Sequence, residues 1–250
     1  MPASFVEDLQ GQNYLHYIRS LHERMKPRTY LEIGTRSGDS LALTDAVSIA
    51  IDPAFAISAD VIGRKPACLF FQTTSDEFFR NFDPMRLLGG SIDLAFLDGL
   101  HLFEVLLRDF INTERSCRSD SVILMHDCIP SDVYMAERID DPVHRHRMGS
   151  KQDWWAGDVW KIAPILQRWR PDIELIALDC VPTGLLVAAG LDPASTVLAD
   201  RYGEIVAEFA EVDLSGYGLD RFHAGIGTQR AEEARLPVAG WRIAEPAALP

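Results

Sequence analysis

The feature that most restricts the fold is a series of short apolar runs, each ending in small or acidic polar residues and separated from the next by stretches of helical spacing. Thr29 to Ile33 runs into a loop holding Gly34 and Gly38. Val47 to Ile51 ends at Asp52-Pro53, and Ala67 to Gln72 ends at Thr73-Thr74-Ser75. Ile92 to Leu97 ends at Asp98-Gly99, and Ser121 to Met125 ends at His126-Asp127. Runs of this kind suit strands buried on both faces, and their alternation with helices implies a mostly parallel sheet covered on both sides. A last pair, Ile173 to Leu178 and Leu185 to Ala189, flanks a turn at Pro182-Thr183-Gly184 and reads as an antiparallel hairpin at one edge. The expected fold is therefore α/β, seven-stranded and mostly parallel, with helices on both faces.

The helices follow from the spacing of apolar residues. Tyr14, Tyr17, Ile18 and Leu21 mark an amphipathic helix within Phe5 to Met25, closed by Pro27 and placed to cover a sheet edge or the mouth of a site. A helix is expected at Ser40 to Ala46, directly after the glycine loop. Phe103, Leu106, Leu107, Phe110 and Ile111 give another with one apolar face, and Val159 to Trp169 a further one. Ile129 to Gly157 is polar, interrupted by prolines and long for a connection, which suggests a lid. Beyond Val212 the glycines and the Ala/Pro-rich end predict an irregular tail. The resulting division is a helical cap at 1–27, one α/β domain at 28–212 and a tail at 213–250.

Composition narrows the partners. A chain of 250 residues, 47% hydrophobic, suits one such domain and has no run near the ~18 apolar residues that span a bilayer. A net charge of −13 repels phosphate backbones and disfavours nucleic acid as a substrate. The densest basic stretch, His144 to Arg147, reads as a solvated loop beside Asp140 and Asp141. Cys68, Cys117, Cys128 and Cys180 are scattered, without a zinc or disulfide spacing, and the first ten residues lack a secretory pattern, so a reducing cytoplasm is expected. Oligomeric state is not legible, and a homo-oligomer is compatible with every feature.

In an open α/β sheet, ligands bind beyond the carboxyl ends of the strands. Asp52, 18 residues after Gly34, is placed to accept hydrogen bonds from both hydroxyls of a ribose. A dinucleotide site needs G-x-G-x-x-G so that the backbone can approach a pyrophosphate. Here Arg36 stands in place of the second glycine, and Glu32 repels phosphate while suiting an ammonium or sulfonium group. The residues favour a cationic nucleoside.

The Glu32-x-Gly34-x-x-x-Gly38 loop, Asp52, the Phe96 to His101 segment and the Leu124 to Asp127 segment together resemble the class I S-adenosylmethionine-dependent methyltransferases. The likeness spans roughly residues 28 to 190. Within that group it is nearest to the metal-dependent small-molecule O-methyltransferases of catechol and macrolide-sugar type. The resemblance implies a Rossmann-like domain with S-adenosyl-L-methionine bound by Glu32, Gly34, Thr35, Ser37, Gly38, Asp52, Ser75, Asp76 and Asp98. Glu32 would lie near the methionine end, Asp52 at the ribose, and Ser75 with Asp76 at the adenine. It further implies a divalent metal (Mg, Mn or Fe) at Asp98, His126 and Asp127, with His101 as general base and Asp98 as the second catalytic residue. His126 departs from the carboxylate usual in that group; Mg²⁺ prefers oxygen, whereas imidazole favours transition metals. The acceptor expected from the likeness is a hydroxyl of a sugar or other small polyhydroxyl compound.

Each assignment has a plainer rival. Asp52-Pro53 and Asp98-Gly99 are also turn signals, His101 also a helix cap, and His126 also a core histidine. Trp160 and Trp169 fit a core better than a ligand platform, while Trp154 and Trp155 are substrate-contact candidates. For the whole chain the rivals are a metal-independent methyltransferase, a catalytically silent nucleoside- or partner-binding member of the fold, and a nicotinamide-dependent oxidoreductase.

Overall fold

A computed structural model describes residues 3–234. Seven strands form one sheet: β1 (Thr29–Ile33), β2 (Val47–Ile51), β3 (Cys68–Phe71), β4 (Ile92–Leu97), β5 (Cys117–His126), β6 (Glu174–Leu178) and β7 (Leu185–Ala189). Their order is β3-β2-β1-β4-β5-β7-β6. Strands β1 to β5 pair in parallel, and β7 runs antiparallel to both β5 and β6. The expected edge hairpin is present. The order reverses between β1 and β4, and the crevice at such a reversal is where ligands enter this kind of sheet.

Ten α-helices surround the sheet among the described residues. They are α1 (Tyr14–Met25), α2 (Ser75–Asn81), α3 (Pro84–Leu88), α4 (Phe103–Glu114), α5 (Pro142–Arg147), α6 (Ile162–Trp169), α7 (Val197–Asp200), α8 (Tyr202–Phe209), α9 (Leu214–Tyr217) and α10 (Leu219–Ile226). None of the described helices is long and apolar enough to cross a membrane.

Side chains alternate across the strands and build two cores. Leu31, Ile33, Ile51, Leu97 and Ile123 pack with Phe103, Leu107, Phe110 and Ile165 on one face. Tyr30, Ala50, Phe96 and Leu124 pack with Tyr17, Ile18 and Leu21 of α1 on the other. The start of α1 is fixed at both levels of structure: Asn13 caps it by accepting from Leu15 N, and Tyr14 N donates to Val181 O in the β6–β7 turn. Because β6 parallels the central strands, that turn lies at the carboxyl edge of the sheet, and α1 begins over the site.

Four expectations are corrected. No α-helix follows the glycine loop; a single 3₁₀ turn, Leu41–Leu43, stands where Ser40 to Ala46 was read as helical. Only residues 34–46 connect β1 to β2. That is about the shortest crossover parallel strands allow, and the loop consumes half of it. The connection read as a long loop is not loop throughout. It contains α5, pairs with the N-terminal segment through Phe5 and Asp132, and is braced by Asp132, which accepts from Tyr134 N, Met135 N and the Ser150 hydroxyl. Within α5, Arg145 is only 2% exposed and holds Asp140 at 2.6 Å and the Gln152 carbonyl, so the His144 to Arg147 stretch is not simply a solvated loop. Finally, α9 and α10 occupy part of the expected irregular tail. Leu214, Leu219 and Phe222 are buried there, with Phe222 and Tyr217 against Trp160. The remainder of that tail, 235–250, lies outside the described residues.

Candidate active site

Strand ends β1 to β5, the lid and the start of α1 enclose a cavity of about 1290 Å³. Sites for one small ligand run to about 300–1,000 Å³, so this one has room for a nucleoside donor and an acceptor together. One wall consists of the loop from Gly34 to Ser40, with Asp52 and Thr73 to Asp76. Asp98, His101, His126 and Asp127 form the floor, and Gln152 to Trp155 of the lid face them.

The loop owes its path to Gly34, whose φ is +87° and whose place a Cβ would contest, arriving 1.8 Å from Asp98 O. This close approach of Gly34 to the chain at the end of β4 brings the glycine loop beside Asp98. Asp52 organises the same loop: one carboxylate oxygen accepts from Arg36 N and the other from Ala54 N, both at 2.7 Å. The turn-forming rival is thus part of what Asp52 does. Each oxygen keeps a second lone pair, and Asp52 lines the cavity. Gly34, Thr35, Ser37, Asp52, Ser75, Asp76 and Asp98 line the cavity. Gly38 stands just outside it, against Val61.

Glu32 is not part of that lining. Its side chain is fully buried on the α1 face of the sheet, where it accepts from the Tyr30 hydroxyl at 2.6 Å. Burial pushes its carboxyl up to about 7, against the Tyr30, Thr35 and Ser40 hydroxyls, which favour the charged form. Any effect on a cationic ligand acts through the loop. Asp76 forms a two-point ion pair with Arg108 of α4, which also reaches the Tyr202 hydroxyl, so the expected adenine edge is held by α4 and α8.

The floor is the densest cluster of charge. His101 Nε2 lies 3.1 Å from Asp127 Oδ2 and 3.6 Å from Asp98 Oδ1. His126 Nδ1 lies 3.2 Å and 3.5 Å from the same two oxygens. Burial alone would raise the Asp98 carboxyl, but His126 and His101 hold it well below the usual carboxylate range. Burial likewise pulls both imidazoles down, yet Asp127 and Asp98 hold His101 up at about 9 and His126 at about 10. Asp127 sits in left-handed backbone, φ 59°, at the strand end, and receives a hydrogen bond from the Thr183 hydroxyl. Strained backbone of this kind concentrates at functional sites.

Asp98, His101 and Asp127 each offer one ligand atom, all within 4.8 Å of one another. Neighbouring ligands about 2.1 Å from one ion stand roughly 3 Å apart in octahedral geometry, so this donor set fits a divalent metal. Of the three metal ligands expected from sequence, Asp98 and Asp127 belong to the group, and His101 occupies the place assigned to His126.

Several residues of the site carried no signal by themselves. Tyr14 of α1 packs its ring against His126, tilted, with ring centroids 4.0 Å apart. Trp155, already singled out, lies 5.0 Å from the His101 ring, and its indole N–H is tied to Glu137 O. The Thr183 hydroxyl arrives from the β6–β7 turn. Trp160 is fully buried and Trp169 packs on Phe209, as read from their spacing.

Residues 31–128 match a family model described as a methyltransferase domain. The seven-stranded, mostly parallel sheet with its antiparallel edge pair is the Rossmann-like architecture expected from sequence. No curated protein matches the chain by sequence. Among solved structures, the chain is similar to a Podospora anserina methyltransferase bound to S-adenosylhomocysteine, at 15% identity and TM-score 0.47, over 72% of this chain and 78% of that one. It is similar to a Bacillus cereus O-methyltransferase in complex with S-adenosylhomocysteine, at 17% identity and TM-score 0.47, over 75% and 84%. A third is the Streptomyces achromogenes O-methyltransferase TomG, from tomaymycin synthesis and in complex with S-adenosylmethionine, at 17% identity and TM-score 0.48, over 70% and 78%.

Proposed function

We propose that the chain is an S-adenosylmethionine-dependent O-methyltransferase that acts, with a divalent metal, on a hydroxyl of a sugar or other small polyhydroxyl compound. Residues 28–212 would form the catalytic domain and 1–27 its cap. The observation that carries this reading is the convergence of Asp98, Asp127 and two imidazoles where the sheet order reverses, below a cavity bordered by the Gly34 loop and Asp52. The missing helix after the glycine loop supports it further. A pyrophosphate is held at a helix N-terminus in dinucleotide folds, and a single 3₁₀ turn stands there instead. The nicotinamide rival loses its anchor.

S-adenosylmethionine brings the methyl group on a sulfonium, and the protein's task is to hold donor and acceptor in line. Asp52 takes the ribose, Thr73 to Asp76 border the adenine, and the Gly34 loop runs beside the methionine portion. Asp98 and Asp127 would hold the metal, which supplies Lewis-acid stabilisation of the acceptor oxygen. A dication there would offset the two carboxylates that keep both imidazoles charged, and one imidazole so freed would take the hydroxyl proton, a role typically contributing ~10²- to 10⁴-fold. Trp154 and Trp155 bound the acceptor side and exclude water there; most of the remaining acceleration comes from alignment.

A second reading, methyl transfer without metal, is favoured by the matched numbers of carboxylates and imidazoles in the cluster. Calorimetry with S-adenosylhomocysteine and with NAD tests the donor assignment: binding of the first alone is expected, and binding of NAD alone refutes it. Transfer of labelled methyl to a polyhydroxyl panel, before and after chelation, separates the two mechanisms. Activity lost on chelation and restored by added metal supports the first, and activity indifferent to chelation supports the second.

A further inference from the structure

We infer that His101, rather than His126, completes a divalent-cation site with Asp98 and Asp127, and that this mixed oxygen and nitrogen set selects Mn²⁺, Fe²⁺ or Co²⁺ over Mg²⁺. The inference rests on the metal-assisted reading above and decides between two imidazoles that stand almost equally near the same carboxylates.

The decisive difference lies behind the rings. A histidine that ligates a metal almost always donates its other ring N–H to a carbonyl, carboxylate or water, which fixes its tautomer and aim. His101 Nδ1 lies 2.9 Å from Trp155 O. A carbonyl oxygen only accepts, so Nδ1 carries a proton in either charge state, and Nε2, the nitrogen facing both carboxylates, is the one a metal would take in place of its proton. The rest of the residue is equally fixed. Its carbonyl accepts from Asp158 N, and Gly157 packs so closely that a Cβ there would lie 2.0 Å from His101 O. The lid therefore holds His101 in place.

His126 has no such support. Its Nδ1 faces Asp127 and Asp98, but its far nitrogen, Nε2, has no hydrogen-bond partner, and the rings of Tyr14 and Phe96 pack around it instead of a carbonyl or carboxylate. Its atoms also fall outside the group whose ligand atoms all lie within 4.8 Å. His126 is thereby left outside the ligand set in which the resemblance had placed it. Thr183, hydrogen-bonded to Asp127, anchors a second ligand from behind. Imidazole among the donors moves preference from Mg²⁺ toward later first-row ions.

The test is metal binding, read without turnover. Mn²⁺ binding to wild type, His101→Ala and His126→Ala is followed by electron paramagnetic resonance, with Mg²⁺ as competitor. His101→Ala is expected to weaken Mn²⁺ binding by about 100-fold or more, since loss of a ligand should exceed the ~10–100-fold seen for outer-shell partners. His126→Ala should change it by less than about 10-fold, and Mg²⁺ should compete poorly. Should a variant fail to fold, the Co²⁺-loaded wild type gives an independent answer by proton magnetic resonance. One strongly shifted, slowly exchanging imidazole N–H is expected, protected by Trp155 O. Greater loss in His126→Ala, no loss in either variant, equal affinity for Mg²⁺ and Mn²⁺, or absence of that N–H signal overturns the inference. Binding of S-adenosylhomocysteine without Mn²⁺ would defeat this inference alone; binding of Mn²⁺ without S-adenosylhomocysteine would defeat the donor reading alone.

Discussion

Glu32→Gln is the substitution whose consequence can be worked furthest. Glu32 is buried beneath the glycine loop, and burial, largest among the influences on it, raises its carboxyl from 4.5 to about 7. The folded protein thus keeps this proton up to about pH 7, whereas the unfolded chain releases it near pH 4.5. Between those values the folded state binds more protons, so stability falls as pH rises through the window and levels off above it. The full rise corresponds to ~3 kcal/mol, at ~1.4 kcal/mol per pH unit. Gln keeps the shape and can still accept from the Tyr30 hydroxyl, but it has no charge to develop. Relative to wild type, Glu32→Gln should therefore gain ~3 kcal/mol between pH 4 and pH 8. That corresponds to roughly 6–12 °C in Tm, at ~2–4 °C per kcal/mol for a chain of this size. Thermal and urea unfolding at several pH values measure it directly. Asp109, also raised to about 7 by burial, adds a similar slope to both proteins and cancels in the difference. Parallel stability curves for the two proteins across pH 4–8 would refute the reasoning.

Other substitutions probe the site itself. Gly34→Ala forces a Cβ against Asp98 O at a φ of +87°; a loss of more than ~2 kcal/mol in stability is expected by denaturant unfolding. Asp52→Ala removes the acceptor of the Arg36 and Ala54 amides along with the ribose contact. Calorimetry should show S-adenosylhomocysteine binding weakened about 10- to 100-fold, the size of a lost charged hydrogen bond. Asp127→Asn should lower labelled-methyl transfer by at least about 100-fold, while S-adenosylhomocysteine affinity stays within a few-fold.

Strands β1, β2 and β4 were readable to the residue because each is an apolar run bounded by turn residues, buried on both faces. The site was readable for a related reason: in a parallel sheet, polar residues that end successive strands must converge at one edge, so Asp52, Asp98, His101 and Asp127 meet although distant in sequence. What escaped reading depends on lengths and partners. The Ser40 to Ala46 helix was expected from local composition, but the short β1–β2 crossover overrides it. Leu219, Phe222 and Ile226 show helical spacing, yet Gly216, Gly218, Gly225 and Gly227 masked α9 and α10. The direction of Glu32 follows from strand alternation with Tyr30, a signal present in the sequence but outweighed by the expected role. The division of labour between His101 and His126 could not be read at all. It turns on the Trp155 carbonyl and the Tyr14 ring, which arrive from the lid and α1 along paths with no local code.

The most direct test of a cavity shaped for a cationic nucleoside is a crystal structure of the protein grown with S-adenosylhomocysteine and Mn²⁺. The expected result places both ribose hydroxyls on the Asp52 carboxylate, the adenine beside Ser75 and Asp76, and the sulfur facing Asp98 and Asp127 across the floor. A nucleoside lying elsewhere, or one that leaves Asp52 bonded only to Arg36 and Ala54, would contradict it.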